Sequence, residues 1–216
     1  MIKVVLADDH EVVRMGLRVL IDREPDMEVA GEAATGRAAL ELVRRERPDV
    51  LLLDIRMPGM DGLETLRAIT ADPELAGTRV IMVTTFEVDR YVFEALQAGA
   101  AGFVLKDGAP DELARAIRAA IDGEALLSPS VTKRVIALFS GPGALPAAAL
   151  DQLTDREREI VAWVGTGRSN EEIAKDLVVS PATVRTHVGR AMVKLDVRTR
   201  AQLAVVAMRA GLTVET

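Results

Sequence analysis

Across residues 1–122, five short aliphatic runs alternate with five segments whose apolar residues recur at helical spacing, and few folds accept that pattern. The runs lie at 2–7, 27–30, 50–53, 80–83 and 103–105. Val12, Val13, Leu17, Leu20 and Ile21 mark a first helix, and further helices are expected near 36–45, 62–70, 90–97 and 110–121. The third run, Val-Leu-Leu-Leu, has no polar residue, as a strand buried on both faces requires. Strands alternating with helices predict a five-stranded, parallel, doubly wound α/β domain over 1–122. Strand order 2-1-3-4-5 would make the first and third strands neighbours.

Residues 123–150 read as a linker. A helix is expected over 128–140, with Pro129 in its first turn. Gly-Pro-Gly-Ala-Leu-Pro-Ala-Ala-Ala at 141–149 is the best candidate for the connecting segment itself.

From 151 to 216 the pattern is helical throughout. Thr154 with Glu157, Ser169 with Glu172, and Thr199 with Gln202 each fit a capping box. Ser180 followed by Pro181 is a fourth helix start, because proline's missing N–H costs nothing at the first helical position. Four helices are therefore predicted at 155–164, 170–177, 181–195 and 200–210, with Gly211 placed to cap the last. This second domain is expected to be small and all-α.

Charge separates the two parts. Residues 1–150 carry 17 basic and 24 acidic side chains, a balance of −7, whereas 151–216 carry 10 and 9. Within 181–200, Arg185, Arg190, Lys194, Arg198 and Arg200 face Asp196 alone, a short basic stripe. The chain has no cysteine and two histidines, so zinc fingers, iron–sulfur sites, thiol nucleophiles and histidine-based triads have almost nothing to work with. Apolar runs are too short to span a bilayer and no secretory signal pattern opens the chain, so a soluble cytoplasmic protein without membrane partners is expected.

Asp8 and Asp9 directly follow the first predicted strand and Asp54 ends the third. In a doubly wound sheet, active groups gather at the carboxyl ends of the strands. Three carboxylates brought together there repel unless a cation sits among them, and a hard divalent ion such as Mg²⁺ suits oxygen ligands. Thr84 and Lys106 end the fourth and fifth strands and face the same place. This set suits phosphoryl chemistry, with Asp54 as acceptor and cations neutralising the phosphoryl oxygens. Taken singly, each acid could be a turn or cap residue, and Asp9 could cap a helix beginning at His10.

The set Asp8-Asp9, Asp54 with Met57-Pro58-Gly59-Met60-Asp61-Gly62, Thr84-Thr85 and Gly102-Phe103-Val104-Leu105-Lys106 resembles the receiver domain of bacterial two-component response regulators. That resemblance implies a flavodoxin-like fold in which Asp54 accepts a phosphoryl group from a sensor histidine kinase. It implies Mg²⁺ bound by Asp9, Asp54 and the backbone carbonyl of Arg56, with Asp8 acting through water. Thr84 and Phe103 match the family's switch pair. Asp107 stands where many receivers carry proline after the lysine, which bears on the loop there and not on the chemistry.

Helices 170–177 and 181–195, joined by Val178-Val179-Ser180, fit a helix-turn-helix. In the second, Val184, Val188, Ala191 and Leu195 form a core stripe. The opposite face presents Ala182, Thr186, Gly189 and Val193, flanked by Arg185 and Arg190. Arginine can bridge guanine edges or phosphates, and threonine offers a hydroxyl and a methyl. Gly189 costs about 1 kcal/mol of helix propensity against alanine, which makes sense where backbone approaches a partner closely. Thr183 and Lys194 complete the candidate DNA contacts. His187 is expected as a phosphate contact or a packed residue, and Trp163 as part of the small core.

Leu153-Thr154-Asp155-Arg156-Glu157, Asn170-Glu171-Glu172-Ile173-Ala174 and Thr183-Val184-Arg185-Thr186-His187-Val188 resemble the LuxR-type DNA-binding domain. The whole chain thus resembles a NarL/FixJ-type response regulator. This implies a transcriptional regulator of double-stranded promoter DNA, controlled by phosphorylation. It also implies a homodimer on DNA that uses the last helix through Leu203, Val206 and Ala207. Two alternatives are a receiver that acts unphosphorylated as a protein- or ligand-interaction module, and an aspartyl-phosphate phosphohydrolase similar to the haloacid dehalogenases. The second lacks its usual acid two residues after the nucleophile, because Arg56 stands there.

Overall fold

The computed structural model describes residues 1–84, 89–106, 108–123 and 150–214. Side chains at 89, 90, 93 and 110 are outside that description, as are the expected helix at 128–140, the 141–149 segment, Thr85 and the loop at Asp107. The chain divides into two compact units, Met1–Leu126 and Leu127–Thr216.

The first unit is a five-stranded parallel sheet in the order β2-β1-β3-β4-β5, the expected order. Its strands are β1 Ile2–Ala7, β2 Met27–Ala33, β3 Val50–Asp54, β4 Arg79–Thr84 and β5 Gly102–Leu105. Its helices are α1 Glu11–Asp22, α2 Gly36–Glu46, α3 Gly62–Ala71, α4 Asp89–Gln97 and α5 Pro110–Ile121, with a 3-10 turn at Pro73–Leu75. All of β3 is buried, as its unbroken aliphatic run requires. Alternate residues Val4, Leu6, Val50, Leu52, Ile81, Val83 and Val104 pack against Ile21 of α1 and Leu113, Ala116, Ile117 and Ala120 of α5. Residues of the other parity, among them Leu51, Leu53, Met82 and Phe103, are buried as deeply on the opposite face. Each such side chain contributes roughly 1.5–3 kcal/mol on leaving water.

Strand β2 runs three residues beyond the apolar run at 27–30. It is an edge strand paired only with β1, and its register slips between Val4 and Val5, where Ala30 is passed over. A bulge and a half-solvated face remove the alternation that would reveal the strand's full length.

The second unit holds α6 Asp155–Gly165, α7 Asn170–Leu177, α8 Pro181–Lys194 and α9 Arg200–Arg209. All three capping boxes form, and the Ser180 hydroxyl accepts the Thr183 N–H. Gly211, at φ +64°, closes α9: its N–H donates to Met208 O and the Leu212 N–H to Ala207 O. Ile160, Val161, Val164, Ile173, Val184, Val188, Ala191 and Leu203 make the core, with Trp163 and Leu195 half-buried at its margin. The core also takes Leu203 and Ala207, both fully buried, which corrects their expected place on a dimer face. Helix α9 is apolar nearly all round, so spacing alone could not tell its inner from its outer side.

Candidate functional site

Strand register brings the acids together. Ala7 pairs with Leu53 and Asp54 with Val83, so Asp8, one residue past Ala7, reaches the level of Asp54. Thr84 pairs with Leu105, and the Lys106 N–H donates to Thr84 O at 2.9 Å, which sets Lys106 one step beyond β5. The Lys106 Nζ lies 2.7 Å from Asp8 Oδ2 and 3.1 Å from Asp54 Oδ2. Asp8 and Asp54 are 1% and 5% exposed, so water screens little of their mutual repulsion.

Burial pushes the Asp54 carboxyl above its ordinary range, and the Asp8 charge adds to the rise. Lys106 and the Ile55 N–H, 2.8 Å from Asp54 Oδ1, act in the opposite sense. Burial alone would draw Lys106 down, but its hydrogen bonds with Asp8 and Asp54 prevail and hold the ammonium above its usual range. Ligand atoms of Asp8, Asp9, His10 and Asp54 all lie within 4.8 Å of one another. Three carboxylates against one ammonium leave two negative charges, the complement of a divalent cation. The donor set therefore fits a hard divalent ion of the Mg²⁺ kind.

The surrounding chain holds this geometry in place. Gly62 opens α3 directly behind Asp54: a Cβ there would stand 2.0 Å from Asp54 O, so no other residue fits without moving β3. Asp61 and Glu64 close a capping box at the same helix start. Arg14 donates to Asp8 O at 2.7 Å and is itself paired with Glu32. Phe103 is fully buried, in register with Met82, and Thr84 is half-buried at the end of β4. Arg56 is exposed two residues past Asp54.

Asp9 does not cap α1, so the plain alternative in which it could does not hold. The N-cap is His10, which makes no side-chain cap bond, and it is Asp8 Oδ1 that accepts the His10 N–H at 2.9 Å. The His10 ring instead turns to the acids, with Nδ1 2.6 Å from Asp9 Oδ1 and 3.4 Å from Asp8 Oδ1. Its position directly after Asp8-Asp9 was the available signal, which the capping reading obscured.

In the second unit, α8 buries Val184, Val188 and Ala191 and exposes Ala182, Arg185, Thr186, Gly189, Arg190 and Val193. A Cβ added at Gly189 would meet nothing within 4 Å, so the surface there is open to a partner. Thr183 is half-buried, its hydroxyl 2.8 Å from that of Ser180, and Thr186 Oγ1 donates to Ala182 O. His187 is half-buried with Nδ1 enclosed, the packed arrangement of the two expected.

Two members of the basic stripe have other work. Lys194 Nζ donates to Glu157 Oε2 at 2.6 Å, tying the end of α8 to the capping box of α6, so its ammonium is held inside the domain. Arg200 is 5% exposed and donates to Asn170 Oδ1 and Arg168 O, both at 2.7 Å. The exposed part of the stripe is Arg185, Arg190 and Arg198. Among the described residues no helix is long and apolar enough to cross a membrane.

Comparison with known proteins gives two family matches. Residues 4–118 match the response regulator receiver domain, and residues 151–207 match the bacterial regulatory proteins of the luxR family. The transcriptional regulatory protein LiaR of Bacillus subtilis is 42% identical over 211 residues, covering 97% of this chain and 98% of that protein. The nitrate/nitrite response regulator protein NarL of Escherichia coli K12 is 37% identical over 202 residues, covering 94% and 93%. Among solved structures, the response regulator ChrA of a heme-sensing two-component system matches with a TM-score of 0.54, 34% identity and 98% coverage of both chains.

Proposed function

The chain belongs to the NarL/FixJ-type response regulators, and we propose that Asp54 is its phosphoacceptor. It is a DNA-binding transcriptional regulator under phosphorylation control and belongs to a non-enzymatic family, so the phosphohydrolase alternative falls away. The observation that carries the assignment is the Lys106 ammonium lying between Asp8 and Asp54 at the carboxyl end of the sheet.

A phosphoryl donor presented by a sensor histidine kinase meets the Asp54 carboxylate at the mouth of this pocket. An Asp54 oxygen forms the new O–P bond as the donor's N–P bond breaks, and the imidazole leaves with the electron pair. Lys106 moves its charge toward the phosphoryl oxygens, and the Thr84 hydroxyl donates to one of them. Asp8, Asp9, Asp54 and the carbonyl of Arg56 would hold Mg²⁺, which when bound neutralises charge on the transferred group. The acyl phosphate adds roughly −1.5 to −2 charges, and Thr84 and Phe103 convey that change as a two-state shift. Recognition of duplex DNA is assigned to Arg185, Thr186, Gly189 and Arg190 on α8, with Thr183 at its start; Lys194 joins only if it leaves Glu157. Pairing of two copies on two half-sites would raise affinity over a single domain. A cytoplasmic location goes with these partners.

Asp54→Asn tests the assignment. Acetyl phosphate with Mg²⁺ is expected to add one phosphoryl mass to the wild type and none to the variant, and to raise operator affinity only in the wild type. Uptake by the variant overturns the acceptor. An affinity gain in both, without uptake, favours the receiver that acts unphosphorylated.

A further inference from the structure

We propose that His10 is a ligand of the same divalent ion, so that this pocket favours first-row transition ions, Mn²⁺ among them, over Mg²⁺ more than an all-oxygen pocket would. The inference rests on the reading of the acidic pocket as a cation site and adds a residue and a metal preference to it.

The geometry begins with the backbone. Asp8 Oδ1 accepts the His10 N–H at 2.9 Å, which turns the chain back over the pocket just before α1 starts. With the side chain thereby directed inward, Nδ1 stands 2.6 Å from Asp9 Oδ1 and 3.4 Å from Asp8 Oδ1. Neighbouring ligand atoms of an octahedral ion with bonds of ~2.1 Å are ~3 Å apart, and opposite ones ~4.2 Å. The ligand atoms of Asp8, Asp9, His10 and Asp54, all within 4.8 Å of one another, come to that scale with shifts of about half an ångström, the Nδ1–Asp9 pair parting and the widest pair closing. The imidazole is otherwise 68% exposed, so it gives up little to reach an ion, and its Nε2 can keep the proton and face water.

The chemistry then sets the preference. Mg²⁺ takes oxygen ligands and keeps its waters, so a nitrogen adds little to its binding. Imidazole nitrogen binds first-row transition ions better than it binds Mg²⁺, and their affinities rise along the Irving–Williams order from Mn²⁺, the weakest of them. Two buried carboxylates and a half-exposed one supply the charge for either ion, and His10 supplies the discrimination.

The test compares Mn²⁺ and Mg²⁺ binding by calorimetry in the full chain, its His10→Ala and His10→Gln variants and Asp9→Asn. Pulsed paramagnetic resonance of the Mn²⁺-loaded proteins accompanies it. The wild type is expected to show nitrogen hyperfine coupling on bound Mn²⁺. Both His10 variants lose that coupling and about tenfold in Mn²⁺ affinity, with less than about twofold loss for Mg²⁺. Asp9→Asn weakens both ions alike. Bound Mn²⁺ without nitrogen coupling, or equal losses for the two ions in the His10 variants, overturns the His10 assignment and leaves the cation pocket standing. Absence of binding by either ion to the wild type overturns both.

Discussion

In the sheet domain Asp8 and Asp54 are buried side by side with one ammonium between them, while in the helical domain Glu157 and Arg200 are buried apart, each against the end of a helix. Glu157 closes the start of α6 and takes Lys194 from the end of α8. Arg200 clamps the turn that opens α7. There Glu157 accepts the Thr154 N–H at the start of α6, and Arg200 donates to the Arg168 carbonyl and the Asn170 side chain on either side of the α7 cap. In the sheet domain the two like charges each accept one backbone N–H, from His10 and from Ile55, but they face each other, and burial together with the Asp8 charge makes Asp54 harder to ionise. Buried charge thus serves cohesion in one domain, while in the other it forms an acidic pocket whose donors fit a divalent cation.

Arg200→Met gives the largest expected effect. It leaves Asn170 Oδ1 and Arg168 O without these donors in a dry place and should cost about 3 kcal/mol. Trp163 is the chain's one tryptophan and sits in the helical domain, so its fluorescence in urea reads that domain selectively in the full protein. Hydrogen exchange of the β3 amides should not change. A loss under about 1 kcal/mol would mean that the buried guanidinium is decorative and the contrast between domains false.

The mirror experiment is Asp54→Asn, read by hydrogen exchange in β3. Removing one of two repelling carboxylates at a site of little screening should stabilise the sheet domain by about 1 kcal/mol, despite the weaker hold on Lys106. Faster exchange in the variant would show that the Lys106 bridge is cohesive after all.

Acid should then move the two domains in opposite directions. The Lys194 ammonium beside Glu157, with help from Thr154, holds that carboxyl below its ordinary 4.5. Its stabilisation is present above 4.5 and is lost as pH falls through the lowered value. Burial raises Asp54 above 3.8, so its contribution to stability is fully present below 3.8 and is lost as pH rises through the raised value. Acidification should therefore lower the urea midpoint reported by Trp163 while the β3 protection factors, taken against the intrinsic exchange rate at each pH, rise. Glu157→Gln should flatten the Trp163 response, by roughly 1 kcal/mol over the titration. Parallel shifts in both domains would remove the distinction.

The same contrast explains what could be read in the sequence. Helix starts in the second domain were legible because a capping box spans only four residues, and Thr154–Glu157, Ser169–Glu172 and Thr199–Gln202 declare themselves locally. The acidic pocket was legible because strand ends put Asp8, Asp54, Thr84 and Lys106 on one edge once the order 2-1-3-4-5 is assumed. Lys194 looked like a DNA contact, and Arg200 like part of a basic stripe, because their partners lie 37 and 30 residues away, beyond the reach of any periodicity. His10 was read only as the residue where a helix begins, since the turn of its ring depends on the Asp8 carboxylate and not on a sequence spacing.

The smallest effect concerns backbone, where the two domains place a non-glycine residue in the same left-handed cap. Arg47 ends α2 at φ 48° and Val178 follows α7 at φ 53°. Both caps are closed by hydrogen bonds, Arg47 N–H to Val43 O and Val179 N–H to Ala174 O. Arg47 is unbranched and its guanidinium is paired with Glu74, which offsets the strain. Val178 is β-branched and 90% exposed, so it is strained with almost no burial in return. Asparagine tolerates this conformation, and Val178→Asn should raise the stability seen by Trp163 by about 0.5 kcal/mol. Arg47→Asn should bring the sheet domain no gain, because the bonds to Glu74 go with the side chain. A gain at Arg47 as large as that at Val178 would show that the pairing with Glu74 offsets nothing, and that one cap is as strained as the other.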